Sequence, residues 1–384
     1  MNRRNFLASS PVLATGLVFP SLISNTYAQT GNTADVLTIG CTAAMTGPLG
    51  SFGQNMKLGV DAGFHQINAR GGVEGRPLRF SVLDDAYIPA RSVENVKKLI
   101  GDSGVIALMG CLGTPNNAAI SPIIEAEGTP HLGPLTGASS LRKIELRNVF
   151  HVRASYTDEI NRLVQNLVSM GIRDLAMVYL DNPYGKEVAQ DATRALTASG
   201  VKAVAMVPLA TDGKNLDSVV AAVLAAKPSA VLLGTAGAAT TGLVAKLKQA
   251  SSMMPIAGVS ASLTQAGVKE LGGKAQGIAI TMVFPDAYQA KHLVIRDYQS
   301  AMRAIDQPLF DPGSLEGYIN ARIMAEALTH AGRGVTRAKL RQSLSALRNF
   351  DLGGFTVDYG SANARVGSKY VALGILSADG KLKG

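Results

Sequence analysis

The sequence predicts an α/β fold made of two doubly wound parallel-sheet lobes, and three observations carry that expectation. Short apolar runs alternate with amphipathic helical stretches from residue 36 onward. Most of the runs are largely apolar, as strands covered on both faces are, and helices separate them. There are ten of them, which suits two sheets of five better than one open sheet. With 384 residues and 47% hydrophobic content, the chain can fill two cores. Composition does not change near Ala154, so the break placed there rests on strand counting.

Taken in order, strands are expected at 36–43, 78–83, 105–109, 131–135 and 149–153, then at 175–180, 203–209, 230–233, 256–259 and 278–283. Between them, apolar residues recur at three and four. Met56, Val60, Phe64 and Ile67 form one helical stripe; Val93, Val96, Leu99 and Ile100 form another. After residue 283 the rhythm changes to helices at 290–305, 312–330 and 336–347. The segments 354–357 and 370–376 then read as a closing hairpin. No stretch of the body has the uncharged length that a membrane helix needs.

The first residues read as an export signal over 1–28. A basic start is followed by a modest apolar stretch and by Thr26-Tyr27-Ala28, whose first and third residues are small enough for cleavage. Arg3 and Arg4 with Phe6 and Leu7 resemble the twin-arginine signal, although Asn2 replaces its usual Ser or Thr; the general secretory route is the alternative. The expected location is the periplasm. A lipoprotein reading of Thr38-Ile-Gly-Cys41 fails, because polar residues precede it and cleavage would remove most of a strand.

Loss of Arg3 and Arg4 with the leader lowers the formal charge from +9 to +7. Like charges form no block and aromatics do not interleave with them. A solvated basic surface is therefore expected, with no nucleic-acid partner. Cys41 and Cys111 cannot make a metal site alone, and the five histidines show no paired spacing. They read as buried thiols, with a disulfide as the alternative.

Catalytic constellations are missing. Gly258-Val-Ser-Ala-Ser262 lacks the closing glycine of a nucleophile elbow. Gly71, Gly72 and Gly75 follow a helix rather than a strand, and no phosphate loop is present. Asp84-Asp85 could be paired acids, but ordering a loop or capping a helix is the preferred reading. Asp158-Glu159 falls at a helix start, where acids meet the dipole favourably. No cofactor is implied.

Ligands of open α/β sheets gather beyond the carboxyl ends of the strands. Three such ends carry Gly, Thr and Ser with almost no charge: residues 43–53, Gly110-Cys-Leu-Gly-Thr-Pro-Asn-Asn117, and Gly133-Pro-Leu-Thr-Gly-Ala138. N–H groups, hydroxyls and helix N-termini of this kind suit a carboxylate held without arginine. Tight turns also demand Gly and Pro, so both readings stay open here.

A family resemblance narrows them. Ala44-Met-Thr-Gly-Pro48, Ile67-Asn-Ala-Arg-Gly-Gly-Val-Glu-Gly-Arg-Pro-Leu78, Asp84-Asp85, Gly113-Thr-Pro115, Pro134-Leu-Thr-Gly-Ala138, Arg153-Ala-Ser-Tyr156 and Asp181-Asn-Pro-Tyr-Gly185 carry it. In these runs the chain resembles the periplasmic binding proteins of branched-chain amino acid ABC transporters, from about residue 36 to the C-terminus. The resemblance implies a type I periplasmic binding protein, two lobes joined by a three-stranded hinge. Lobe 1 would be 35–153 plus 284–355, and lobe 2 would be 154–283 plus 356–384.

It also implies a function: a non-enzymatic, extracytoplasmic solute-binding protein of an ABC importer. This protein would close on a small carboxylate ligand, an amino acid or an aromatic or organic acid, and would be read by membrane permease subunits. A ligand-sensing protein coupled to a membrane receptor is the alternative. By the same resemblance, Thr114 beside Gly113 binds the ligand carboxylate, aided by backbone groups of Leu135, Thr136 and Gly137. Phe52 borders the ligand from lobe 1, while Tyr156 and Tyr184 border it from the hinge and lobe 2. Two positions depart. Ser260 stands where amino-acid binders place the acid that meets the ammonium, and Ala236 replaces an aromatic. Either Asp158, Glu159 or Asp181 takes over, or the ligand has no ammonium. The smaller residues favour a larger ligand, such as an aromatic acid.

Overall fold

The computed structural model describes residues 36–101, 104–360 and 365–384; the export signal expected over 1–28 lies outside them. The first lobe begins with β1 (Leu37–Ala43), α1 (Gly50–Ala69), β2 (Leu78–Asp84) and α2 (Pro89–Ile100). It continues with β3 (Ala107–Met109), α3 (Thr114–Ala126), β4 (His131–Leu132) and β5 (Val149–Phe150). The second lobe runs through α4 (Tyr156–Ser169), β6 (Leu175–Leu180), α5 (Pro183–Ala198), β7 (Ala205–Leu209) and α6 (Leu216–Ala225). After these come β8 (Ala230–Gly234), α7 (Ala238–Ala250), β9 (Ile256–Gly258), α8 (Gln265–Leu271) and β10 (Ala279–Met282). Helices α9 (Leu293–Ala304), α10 (Pro312–Ala331) and α11 (Arg337–Ala346) follow. Four short strands come last: β11 (Phe350–Asp351), β12 (Thr356–Val357), β13 (Ala372–Leu376) and β14 (Leu382–Lys383).

The first sheet has the order β2-β1-β3-β4-β5, all parallel. The second repeats that winding as β7-β6-β8-β9-β10 and adds β13 and β14 antiparallel at its edge. Each sheet therefore has a switch point, between β1 and β3 and between β6 and β8, where loops diverge and leave a crevice. The two switch points face one cleft.

Each sheet has its own apolar core. Helices α9 to α11 return to the first, through Val294, Tyr298, Leu315, Tyr318 and Leu340. Helix α10 lies almost backbone to backbone on α1. A Cβ at Gly59 would fall 1.7 Å from the carbonyl oxygen of Ser314, and one at Gly317 would fall 2.1 Å from that of Met56. Only glycine permits this approach. The contact fixes the N-terminal turns of α1 and α10 side by side at the cleft.

Three expectations are corrected. The resemblance places residues from 356 in lobe 2, yet Val357 and Tyr359 stay in the first core. Tyr359 meets Phe150 edge to face at 5.4 Å, and the N–H of Gly367 donates to the carbonyl of His151 at 2.8 Å. Burying that ring against β5 delays the last crossing until β13. Segments 354–357 and 370–376 do not pair with each other: β12 pairs with β11, and β13 with β10 and β14. Local turns decide this, Asp351 Oδ1 accepting the N–H groups of Gly353 and Gly354 at 2.9 Å each. Finally, β4 and β5 stop at Leu132 and Phe150 rather than 135 and 153. The chain beyond each turns into the cleft.

Candidate functional site

A cavity of about 130 Å³ lies between the lobes at the carboxyl ends of both sheets. Phe52, Gly113, Thr114, Leu135, Tyr156, Tyr184, Ala236 and Ser260 all line it. Residues scattered over two hundred positions meet there because both switch points open onto the same space. The lobes touch at its mouth: a Cβ on Gly237 would lie 2.6 Å from Cδ2 of Leu49 and 2.7 Å from the carbonyl oxygen of Pro48.

Thr114 is the first residue of α3 and is buried. A helix start leaves its first N–H groups without intrahelical partners, here those of Thr114 and Asn116, since Pro115 has none. The Thr114 hydroxyl sits 2.8 Å from that of Thr136, which also accepts the N–H of Ala138 at 3.2 Å. The expected first-lobe clamp thus corresponds to a hydroxyl pair beside a helix N-terminus, an arrangement that suits a carboxylate.

The backbone share of that clamp is smaller than expected. The N–H of Leu135 donates to Cys111 and that of Thr136 to Pro134, at 2.9 and 2.8 Å. Leu135 bridges to Leu112 just beyond β3, which uses up its donor, while the donor of Thr136 closes a local turn. Thr136 and Gly137 do not line the cavity. The Tyr156 ring covers Gly137 so closely that a Cβ there would lie 2.6 Å from it.

Aromatic walls close the rest. Tyr156 and Tyr184 meet edge to face at 5.2 Å, both buried, and burial pushes both phenols up from their ordinary range. Tyr87 is a wall residue that the sequence reading missed. Its ring lies against Gly113, where a Cβ would come within 2.3 Å. Asp84 and Asp85 hold it there. Asp84 accepts the N–H of Met45 and of Ala86, while Asp85 accepts the N–H of Tyr87 and the hydroxyls of Thr42 and Ser92. The acid pair orders the loop, as preferred from sequence.

Arg153 enters the cavity from the first crossing between lobes. It lies 3.5 Å from Glu159 of α4 and 3.5 Å from Glu316 of α10, and it donates to Ser260. Burial opposes its charge, but the two carboxylates outweigh that and raise its pKa. Of the acids expected to replace the one missing at Ser260, Asp158 caps α4 through Ser155 and Asp181 is exposed beside Lys186. Glu159 does sit next to Ser260, but Oε2 accepts the N–H of Ser260 at 2.7 Å and the hydroxyl of Thr281. It is occupied by the fold. Glu316 was not anticipated. The available signal was a lone acid in the apolar, glycine-rich start of α10, Ser314-Leu-Glu-Gly-Tyr318.

Cys41 and Cys111 are free and buried. Among the described residues no group of three or more His, Cys, Asp or Glu side chains could hold a metal.

Two wound lobes, three crossings and a cavity at the switch points define a two-lobed binding protein with a small-molecule site between its lobes. A family model described as periplasmic binding protein matches residues 36–381. The chain belongs to that family, which implies a periplasmic location. It is 23% identical over 311 residues to Leu/Ile/Val-binding protein homolog 3 of Brucella melitensis, covering 80% of this chain and 83% of that one. A substrate-binding periplasmic protein from Ralstonia solanacearum superposes with a TM-score of 0.85 at 28% identity, covering 90% of this chain and 99% of that one. A solute-binding protein of an ABC transporter from R. palustris, solved with benzoate, has a TM-score of 0.81 at 18% identity over 90% of this chain and 94% of that one.

Proposed function

We propose that this protein is the exported binding component of an ABC importer, taking up a small carboxylate with an apolar body. One observation carries the ligand class: the cavity brings the Thr114 hydroxyl and the start of α3 together with walls of Tyr87, Tyr156 and Tyr184. Its volume of about 130 Å³ is close to the ~150 Å³ of an apolar cavity that accepts benzene, so the body is of leucine or single-ring size. Similarity to a Leu/Ile/Val-binding protein homologue and to a benzoate-bound protein supports the same class.

Ligand first meets lobe 1 at Thr114. Lobe 2 then closes, bringing Tyr184 and the 236–237 loop over it and excluding water. The ligand shifts this hinge equilibrium only by its differential affinity for the closed state. The closed face is what permease subunits read, and the export signal directs the chain to them by the twin-arginine route.

The test is a thermal-shift screen of refolded, ligand-stripped protein against amino acids, aromatic acids and aliphatic carboxylates. A ligand at a thousandfold excess over its Kd adds about 4 kcal/mol. Thr114→Val is expected to weaken the best ligand at least tenfold; unchanged binding removes the clamp.

A further inference from the structure

The chain has two cysteines, and the fold places them side by side. Cys41 lies in β1 and Cys111 just beyond β3, its neighbour in the first sheet. Gly40 pairs with Leu108, and the N–H of Leu112 donates to the carbonyl of Thr42 at 3.2 Å. While β1 runs from Gly40 to Thr42, its neighbour runs from Leu108 to Leu112. The extra length is taken up at Gly110, whose φ of 69° is left-handed, and this brings Cys111 opposite Cys41. The two thiols hydrogen-bond to each other, and both are fully buried in the first core.

Adjacent strands lie about 4.8 Å apart, within the ~4.4–6.8 Å between Cα atoms that a disulfide spans. No other thiol in the sequence competes for either partner. Of the polar groups facing the pair, His131 of β4 hydrogen-bonds Cys111, and Asp85 is held by Thr42, Ser92 and Tyr87. The backbone of Cys111 is also a fixture of the loop that leads to Thr114. Its carbonyl accepts the N–H of Leu135 at 2.9 Å and Nδ2 of Asn117 at 2.8 Å, and the same Nδ2 reaches the carbonyl of Gly113.

We propose that Cys41 and Cys111 are joined as a disulfide in the exported protein, tying the end of β1 to the loop that carries Thr114. The structure shows the pair as thiols. In the periplasm, where the family places the chain, the bond forms by exchange with a small-molecule or protein disulfide. One cysteine thiolate attacks the donor disulfide and expels one donor thiolate; the other cysteine then attacks the mixed disulfide and expels the second. The two cysteine protons end on the donor thiols, so the donor is reduced as the pair is oxidised. Burial sets the order of events. Neither sulfur is reached in the folded lobe, so exchange comes before the core closes over β1 and β3. Afterwards the bond is shielded from reductants in the same way. The anchor holds the loop whatever molecule the cleft takes.

The test starts from the full chain recovered from the periplasm, quenched in acid, unfolded and alkylated before any reductant is added. Neither cysteine should be alkylated, and the tryptic peptides carrying Cys41 and Cys111 should be linked, lighter by two hydrogens than the separate peptides together. Alkylation of both cysteines in most of the protein overturns the proposal, as does linkage only between chains. The anchoring role is read without ligand. Protein reduced in urea and refolded under reductant should melt about 5 °C or more below the oxidised form. Amide exchange at Leu112 and Asn117 should be about tenfold faster in it, with β8 of the second lobe unchanged. Cys41→Ser combined with Cys111→Ser should match the reduced protein and ignore reductant. Equal melting and exchange in the oxidised and reduced forms overturn the anchor. Reductant added to the native oxidised protein without urea should leave the bond intact for hours; rapid reduction overturns the order of events.

Discussion

Nη1 of Arg153 lies 3.5 Å from Oε2 of Glu316, joining the first crossing between lobes to a helix of lobe 1. The same guanidinium reaches Glu159 of lobe 2, so one buried cation ties both lobes together behind the ligand cavity. Replacing Arg153 by Met strands two buried carboxylates and is expected to cost about 3–5 kcal/mol. Urea denaturation measures it, and adding Glu316→Gln should recover part of the loss. A single variant within about 1 kcal/mol of wild type would show that the bridge contributes little.

Stability should fall with rising pH across the range in which Glu316 titrates. Burial pushes its carboxyl up from the ordinary 4.5 to about 7, against the opposing pull of Arg153. Between those values the folded chain holds a proton that the unfolded chain has released, so stability declines as pH rises through the window. Below about 4.5 the penalty is absent; above about 7 it is complete, on the order of 3 kcal/mol. Urea melts of ligand-free protein at pH 5 and pH 8 should show a larger loss for wild type than for Glu316→Gln. Parallel pH profiles would exclude Glu316 as the source.

Gly113→Ala should damage both the fold and the site. Gly113 has φ 96°, and an added Cβ would lie 2.3 Å from the Tyr87 ring. A loss of about 1–3 kcal/mol is expected, with ligand affinity reduced at least tenfold. Adding Tyr87→Ala removes the clash but leaves the backbone strain, so stability should return only in part. Full recovery would show that the conformation of Gly113 is not strained by a side chain.

Closure should depend on Gly237, which meets Leu49 and Pro48 across the mouth of the cleft. Gly237→Ala is expected to hold the lobes apart. Small-angle scattering would then show less compaction on adding ligand than wild type shows, with affinity down about tenfold or more. Equal compaction in both proteins would mean that the mouth can close without this contact.

Much of this site was legible in the sequence because strand ends carry it. Thr114, Phe52, Tyr156, Tyr184, Ala236 and Ser260 sit on loops or helix starts next to strands that apolar runs disclose, and all line the cavity. Tyr87 also follows a strand, but its entry into the cleft depends on Asp84 and Asp85 bonding to β1 and the loop after it. Such contacts span forty residues and leave no local periodicity. Thr136 and Gly137 lie just outside the cavity lining for the opposite reason. Their composition suits a ligand loop, yet neighbouring strand ends and Tyr156 already satisfy or cover them.

The sequence by itself determined the alternation of strands and helices, the parallel sheets and the small-residue loops at their carboxyl ends. Those follow from local periodicity and turn chemistry, which act over a few residues. Only the tertiary structure decided what each acid is bound to. Asp158 became a helix cap, Asp181 a surface ion pair and Glu159 a partner of Ser260 and Thr281. Glu316 reached the cleft because Gly59 and Gly317 let α1 and α10 approach to backbone contact. Where a carboxylate lands, and whether anything there can neutralise it, depends on packing between segments more than 250 residues apart.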